Sequence, residues 1–195
     1  MNRKQESDEL SRKEASVNRP FFLPRLFRST YQGYAVVHWT LTLESHGTGW
    51  LTPGFHAAFR ELMLHTAARE GLLCPAYCLM PDHLHLIWMG LKPTTDQRNA
   101  MAFLRTHLKR SIAPKKFQRQ AHDHVLREDE RKQDTFANAC LYVLNNPVRA
   151  NLVINARDWE YLGAVVPGYP TLHPLDENYW RLFWEQYWKN REGER

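Results

Sequence analysis

The chain has 195 residues, with 26 Lys and Arg against 21 Asp and Glu and a formal net charge of +5. That length suits one domain with appendages and excludes a large multidomain machine, while 43% hydrophobic and 24% charged residues exclude global disorder. No apolar run approaches a membrane span and the N-terminus is polar, so no membrane partner and a cytoplasmic location are expected.

Residues 1–18 lack apolar periodicity and read as a flexible tail. Residues 34–43 read as a strand, because Val37, Trp39, Leu41 and Leu43 alternate with polar neighbours. Residues 47–54 form a turn region, and residues 56–70 a helix ended by Gly71. Two short apolar runs, 75–80 and 83–88, flank Pro81 and Asp82 and read as a hairpin. Thr95 or Asp96 caps a helix reaching about residue 113, and residues 122–126 form a short strand. Residues 128–146 read as a third helix stopped at Pro147. Proline- and glycine-rich loops follow, then a last amphipathic helix over residues 178–189. The order β-α-ββ-α-β-α predicts an α+β fold with an antiparallel sheet and helices packed on one face.

Three patterns carry chemistry. On a strand, His83 and His85 point to one face, which would be exposed, while Leu84, Leu86 and Trp88 serve a core behind it. Neighbouring imidazoles suit a divalent metal, although a solvated sheet face can carry the same pair. In the third helix, Phe136, Cys140, Val143 and Leu144 make the apolar stripe. Tyr142 lies off that stripe with Asn146 four residues later, which describes either a nucleophile beside a metal ligand or a half-exposed tyrosine near a helix end. Between Asp96 and Asp123 there is no acidic residue but seven basic ones, Arg98, Arg105, Lys109, Arg110, Lys115, Lys116 and Arg119. A one-signed segment of this kind suits a phosphate backbone.

Other features have plainer readings. The aromatic stripe Trp180, Phe183, Trp184, Tyr187 and Trp188 has the spacing of core packing. Cys74, Cys78 and Cys140 read as buried reduced thiols. His38 is expected to support the His pair from behind rather than to be a third ligand, and no second metal is expected at His122 and His124.

The segment Met80-Pro-Asp-His-Leu-His-Leu-Ile-Trp88 resembles the His-hydrophobic-His motif of HUH nucleases. Together with Tyr142-Val-Leu-Asn-Asn-Pro-Val-Arg-Ala-Asn-Leu-Val153 it is similar to the single-tyrosine transposases of insertion-sequence type, above all to their domesticated branch, the REP-associated tyrosine transposases. His122-Asp-His-Val-Leu-Arg127 and Trp159-Glu-Tyr-Leu-Gly163 resemble further parts of that branch, so the likeness covers residues 34–163.

The resemblance implies a ferredoxin-like HUH endonuclease fold. It implies a divalent metal, Mg2+ or Mn2+, on His83, His85 and a third ligand that maps to Asn146, with Tyr142 as nucleophile. It implies nicking and rejoining of single-stranded or hairpin DNA through a covalent phosphotyrosine, by a monomer or homodimer associated with the nucleoid. Residues 1–18, 19–163 and 164–195 then divide into tail, catalytic domain and a C-terminal extension whose aromatic helix docks on the domain. Two other readings compete: a nucleic-acid-binding protein that keeps the fold without cleaving, and a metallohydrolase that activates water on the His pair.

Overall fold

The computed structural model describes residues 25–169 and 171–192; the expected tail over residues 1–18 lies outside the described residues. Five strands form one antiparallel sheet: β1 (Val36–Thr42), β2 (Leu72–Leu79), β3 (His83–Gly90), β4 (His122–Val125) and β5 (Leu162–Val165). Their spatial order is β4-β1-β3-β2-β5. The helices are α1 (Pro53–Glu70), α2 (Gln97–Ser111), α3 (Gln133–Leu144), a four-residue α4 (Asn146–Arg149) and α5 (Tyr179–Glu192).

Local chemistry sets the helix ends. Thr52 caps α1 by accepting from the Phe55 amide at 3.1 Å, with Pro53 in the first turn, and Gly71 closes the helix in the left-handed region at φ 65°. Asp96 caps α2, accepting from the amides of Arg98 and Asn99. The third helix is shorter than expected and does not stop at proline. It ends at Leu144, and Pro147 sits in the first turn of α4, where its missing N–H removes no helical hydrogen bond. Pro75 falls where the pairing of β2 with both neighbours shifts register, which is how a proline is accommodated in an inner strand.

The sheet buries both faces. On one, Val37, Trp39, Leu41, Tyr77, Leu84, Leu86 and Trp88 pack with Phe59 and Met63 of α1 and Met101, Leu104 and Leu108 of α2. On the other, Ala76, Cys78, Ile87, Met89, Leu162 and Ala164 pack with Phe136, Cys140 and Val143 of α3 and with Tyr179, Phe183 and Tyr187 of α5. Helices therefore cover both faces, not the single face predicted. The physical reason is that Ile87 and Met89 continue the His83-His85 side of β3 as apolar residues, which need a cover of their own. All three cysteines are buried and unbridged. Of the C-terminal aromatic stripe only Trp188 departs from core packing, being 51% exposed, with the Arg191 guanidinium 5.5 Å from its ring centroid.

Buried Gln97 ties α2 to the sheet. Its Oε1 accepts from Trp39 Nε1 at 3.1 Å, and its Nε2 donates to the Ala35 carbonyl at 2.7 Å. Among the described residues no helix is long and apolar enough to cross a membrane.

Candidate active site

The β2-β3 hairpin closes through the Met80 amide, which donates to the His83 carbonyl at 2.8 Å. This starts β3 at His83 and turns His83 and His85 to the same side of the sheet. Their Nε2 atoms converge to 3.1 Å, with the rings nearly perpendicular. That side is half-covered, not the open face predicted, because α3 packs over its continuation.

Each ring is held from behind through Nδ1. His83 Nδ1 lies 2.6 Å from Asp82 Oδ1, and the other Asp82 oxygen lies 2.5 Å from His46 Nδ1. Burial works to raise the Asp82 pKa, but the bonds from His83 and His46 outweigh it and hold the carboxyl below its ordinary range. His85 Nδ1 lies 3.1 Å from both Thr40 Oγ1 and His38 Nε2. The strand register explains this: Thr40 is paired directly with His85, and His38 is one step diagonal. His38 thus takes the supporting place expected of it.

Burial, then the neighbouring His38 and His83, pushes His85 down to about 3, and burial pushes His38 to about 4. Both are neutral imidazoles at pH 7, the form that ligates metals. With the ring protons on Nδ1, where Asp82, Thr40 and His38 stand as acceptors, two Nε2 lone pairs face each other. Such lone pairs repel unless a cation lies between them. The 3.1 Å separation is close to the edge, about 3.0 Å, of an octahedron with ligands at about 2.1 Å. The donor set therefore fits a divalent ion. Among the described residues no third His, Cys, Asp or Glu joins them in a metal site, so protein completion falls to another donor type.

Tyr142 projects from α3 and is 51% exposed. The Arg149 guanidinium stacks on its ring, 4.0 Å from the centroid. The same positive charge contributes to lowering the His85 pKa, so Arg149 stands within electrostatic reach of both the His pair and the tyrosine. Asn146 turns its Nδ2 back to the carbonyls of Tyr142 and Val143, at 3.1 and 3.0 Å. That anchors the amide and leaves Oδ1 outside the described hydrogen bonds.

The basic residues do not form one patch. α2 lies on the sheet face opposite the His pair. Arg98, Arg105 and Arg119 gather around one cavity with Arg25 and Trp39. Lys109 and Arg110 are exposed at the far end of α2, Lys116 is exposed beyond it, and Lys115 borders a second cavity beside Trp50. Sequence reasoning gave no role to Asp82, Thr40, Arg149 or Arg25. Asp82 and Arg149 stood inside the quoted motifs, next to and seven residues after the residues singled out. Thr40 is visible only through strand register, and Arg25 only through a contact 98 residues away in sequence.

No family model matches the chain. A protein of Haemophilus influenzae described as "Putative REP-associated tyrosine transposase" is 27% identical over 153 residues, covering 69% of this chain and 82% of the relative. A solved structure described as "Structure of the REP associates tyrosine transposase bound to a REP hairpin" superposes with a TM-score of 0.61 at 17% identity, over 73% of this chain and 82% of that one. The second likeness bears on fold alone. By sequence the chain is similar to a putative REP-associated tyrosine transposase, and by fold, a five-stranded antiparallel α+β sheet with helices, it is similar to a solved one.

Proposed function

We propose that the protein is a metal-dependent single-stranded DNA transesterase that nicks and rejoins hairpin-forming DNA through a phosphotyrosine on Tyr142. The observation that carries this reading is the convergence of the His83 and His85 Nε2 atoms to 3.1 Å while both Nδ1 atoms are held from behind. A binding protein has no use for that construction. The relatives' description as transposases, one of them bound to a REP hairpin, supports the same substrate class.

His83, His85 and the Asn146 Oδ1 would hold the ion. A divalent cation there would neutralise charge on the scissile phosphate and make phosphorus more electrophilic. Tyr142 Oη attacks that phosphorus, losing its proton to solvent. A bond forms from Oη to phosphorus, the bond from phosphorus to the 3′ oxygen breaks, and that oxygen leaves as a hydroxyl after taking up a proton. Because the phosphotyrosine keeps the bond energy, a second 3′-hydroxyl reverses the step and joins strands without ATP. Arg149 keeps the phenol ring in place and puts a positive charge beside the entering phosphate. The basic residues Arg98, Arg105, Lys109, Arg110, Lys115, Lys116 and Arg119 are assigned to DNA phosphates, and a monomer or homodimer can carry the reaction.

The test is a labelled hairpin with single-stranded flanks, incubated with the protein and Mn2+ and run on a denaturing gel. A label that migrates with the protein supports the reading. A shift on a native gel without a denaturation-resistant species assigns the chain to binding alone, and cleavage without an adduct assigns attack to water.

Asp82→Asn should weaken Mn2+ binding by about tenfold, the lower end of the range for groups that orient metal-bound histidines. The asparagine can still accept from His83 Nδ1 but no longer supplies negative charge. Titration followed by Mn2+ electron paramagnetic resonance reads this without any DNA. His46→Ala, which leaves the Asp82-His83 contact in place, should change the affinity far less.

A further inference from the structure

We propose that His46 is the general acid and base at the 3′ oxygen: it gives the proton with which that oxygen leaves in nicking and takes the proton back in joining. This rests on the reading of Tyr142 as the nucleophile. It names the group that handles the second proton of that reaction, and it adds a catalytic residue from a loop outside every motif quoted above.

His46 is tied to the His pair by one carboxylate. Its Nδ1 lies 2.5 Å from Asp82 Oδ2, while Asp82 Oδ1 lies 2.6 Å from His83 Nδ1. Little more than the width of a carboxylate therefore separates the two rings, and in both of them Nε2 is the nitrogen turned away from Asp82. The Nε2 of His83 converges on that of His85. The Nε2 of His46 has no hydrogen-bond partner among the described residues, and its side chain is 69% exposed. A ring held by a carboxylate at Nδ1 and open at Nε2 is built to pass a proton at Nε2, because the carboxylate fixes the tautomer and stabilises the imidazolium.

The backbone is strained to put the ring there. Ser45 and His46 are consecutive residues other than glycine in the left-handed region, at φ 55° and 50°. Gly47, which would adopt that conformation freely, follows directly and is not used for it. Strain of this kind persists only where the surroundings enforce it. Here the Leu43 amide donates to the Asp82 carbonyl at 2.9 Å, the Glu44 amide to the Lys116 carbonyl at 2.8 Å and the His46 amide to the Leu43 carbonyl at 3.2 Å. An exposed histidine is thus pinned against Asp82 by the loop that carries it.

The side of approach suits an in-line displacement, in which entering and leaving oxygens lie on opposite sides of phosphorus. β3 stands between β1 and β2 in the sheet. The helix that carries Tyr142, α3, packs mainly over β2. The loop that carries His46 continues from the end of β1, where Thr42 pairs with His83. A phosphate at the His pair then has the tyrosine helix on its β2 flank and His46 on its β1 flank.

The protons balance. Tyr142 Oη loses its proton to solvent and bonds to phosphorus. As the bond from phosphorus to the 3′ oxygen breaks, the His46 imidazolium passes its Nε2 proton to that oxygen, leaving a neutral ring and a 3′-hydroxyl. In joining, the neutral ring takes the proton of the attacking 3′-hydroxyl and is an imidazolium again.

The experiment follows single-turnover adduct formation with Mn2+ on two hairpin substrates that differ in one atom: the bridging 3′ oxygen at the cut is kept in one and replaced by sulfur in the other. A thiolate leaves without being protonated, so only the oxygen substrate needs the acid. His46→Ala should form adduct about a hundredfold more slowly than the wild type on the oxygen substrate, the lower end of the range for a general acid, and within about threefold of the wild-type rate on the sulfur substrate. The second rate also reports an intact fold and metal site. Adduct prepared from the sulfur substrate should join to an added 3′-hydroxyl strand about a hundredfold more slowly in the variant, because the same group is then missing as base. A variant that matches the wild type on the oxygen substrate overturns the assignment by leaving the proton to solvent. A variant slowed equally on both substrates overturns it by making His46 a support for Asp82 and His83 alone. A wild type that forms no adduct on either substrate overturns the reading of Tyr142, and the role of His46 with it.

Discussion

Replacing Tyr142 with phenylalanine is expected to remove the covalent protein-DNA species, lowering adduct yield by at least about a thousandfold, as loss of a nucleophile does. Hairpin affinity should stay within about twofold of the wild type, because phenylalanine keeps the ring on which Arg149 stacks. Fold stability should move by no more than about 0.5 kcal/mol, since the side chain is half exposed and its hydroxyl makes no described hydrogen bond. The substitution deletes one oxygen atom and little else. A denaturing gel beside an anisotropy titration separates chemistry from binding. Adduct persisting in Tyr142→Phe would remove Tyr142 from the mechanism, and would direct attention to another hydroxyl reaching the same phosphate.

The His pair was legible because strand alternation is a strong local signal. His83 and His85 stand two apart in a run whose other members are apolar, and that fixes their common side without knowledge of the fold. What holds them was less legible. Asp82 supports its own sequence neighbour, so the turn placed it, but Thr40 and His38 are set by the β1-β3 register, which no local pattern specifies. The row of five histidines on one sheet side, His38, His83, His85, His122 and His124, is likewise a product of two registers. It accounts for half of the ten histidines in the chain.

The misplaced expectations have identifiable physical causes. A half-buried sheet was inferred from β1, where alternation is clean. β2 is buried along its whole length and β3 carries Ile87 and Met89 beyond its histidines, which is the signature of a sheet covered on both sides. β5 went unpredicted because it is four buried residues including Gly163, too short and too uniformly apolar to alternate. Gly163 is there for space: a Cβ would come within 2.7 Å of Tyr77 Oη. The basic segment was readable as charge, but its division into two groups at opposite ends of α2 depends on where the chain after Ser111 turns back toward β4.

Gly90→Ala should produce the largest loss of stability of the changes considered, about 3 kcal/mol. Gly90 ends β3, and its amide donates to the Ala35 carbonyl at 3.0 Å. A Cβ there would fall onto the Gly33 carbonyl oxygen, inside any permitted contact, with Thr95 Cγ2 at 3.2 Å behind it. The obstacle cannot simply yield. Gly33 is in a left-handed turn at φ 63°, and its amide donates to the Thr95 carbonyl at 2.9 Å. Thr95 in turn donates from Oγ1 to the Gly71 carbonyl at 2.8 Å, so the entry to β1, the end of α1 and the start of α2 are tied at one point. Relieving the clash moves all three. For a chain of this length the melting temperature should fall by roughly 10 °C, and the denaturant midpoint should drop with the slope unchanged, since the extent of burial is the same. Gly54→Ala is the control: nothing lies within 4 Å of its added methyl, on the first turn of α1, and its stability should be equal or up to about 1 kcal/mol higher. The His pair sits at the other end of β3, so the folded fraction of Gly90→Ala should form adduct at the wild-type rate. If Gly90→Ala melts with the wild type, the close approach of Gly33 to Gly90 is wrong, and the β1 entry must lie farther from β3.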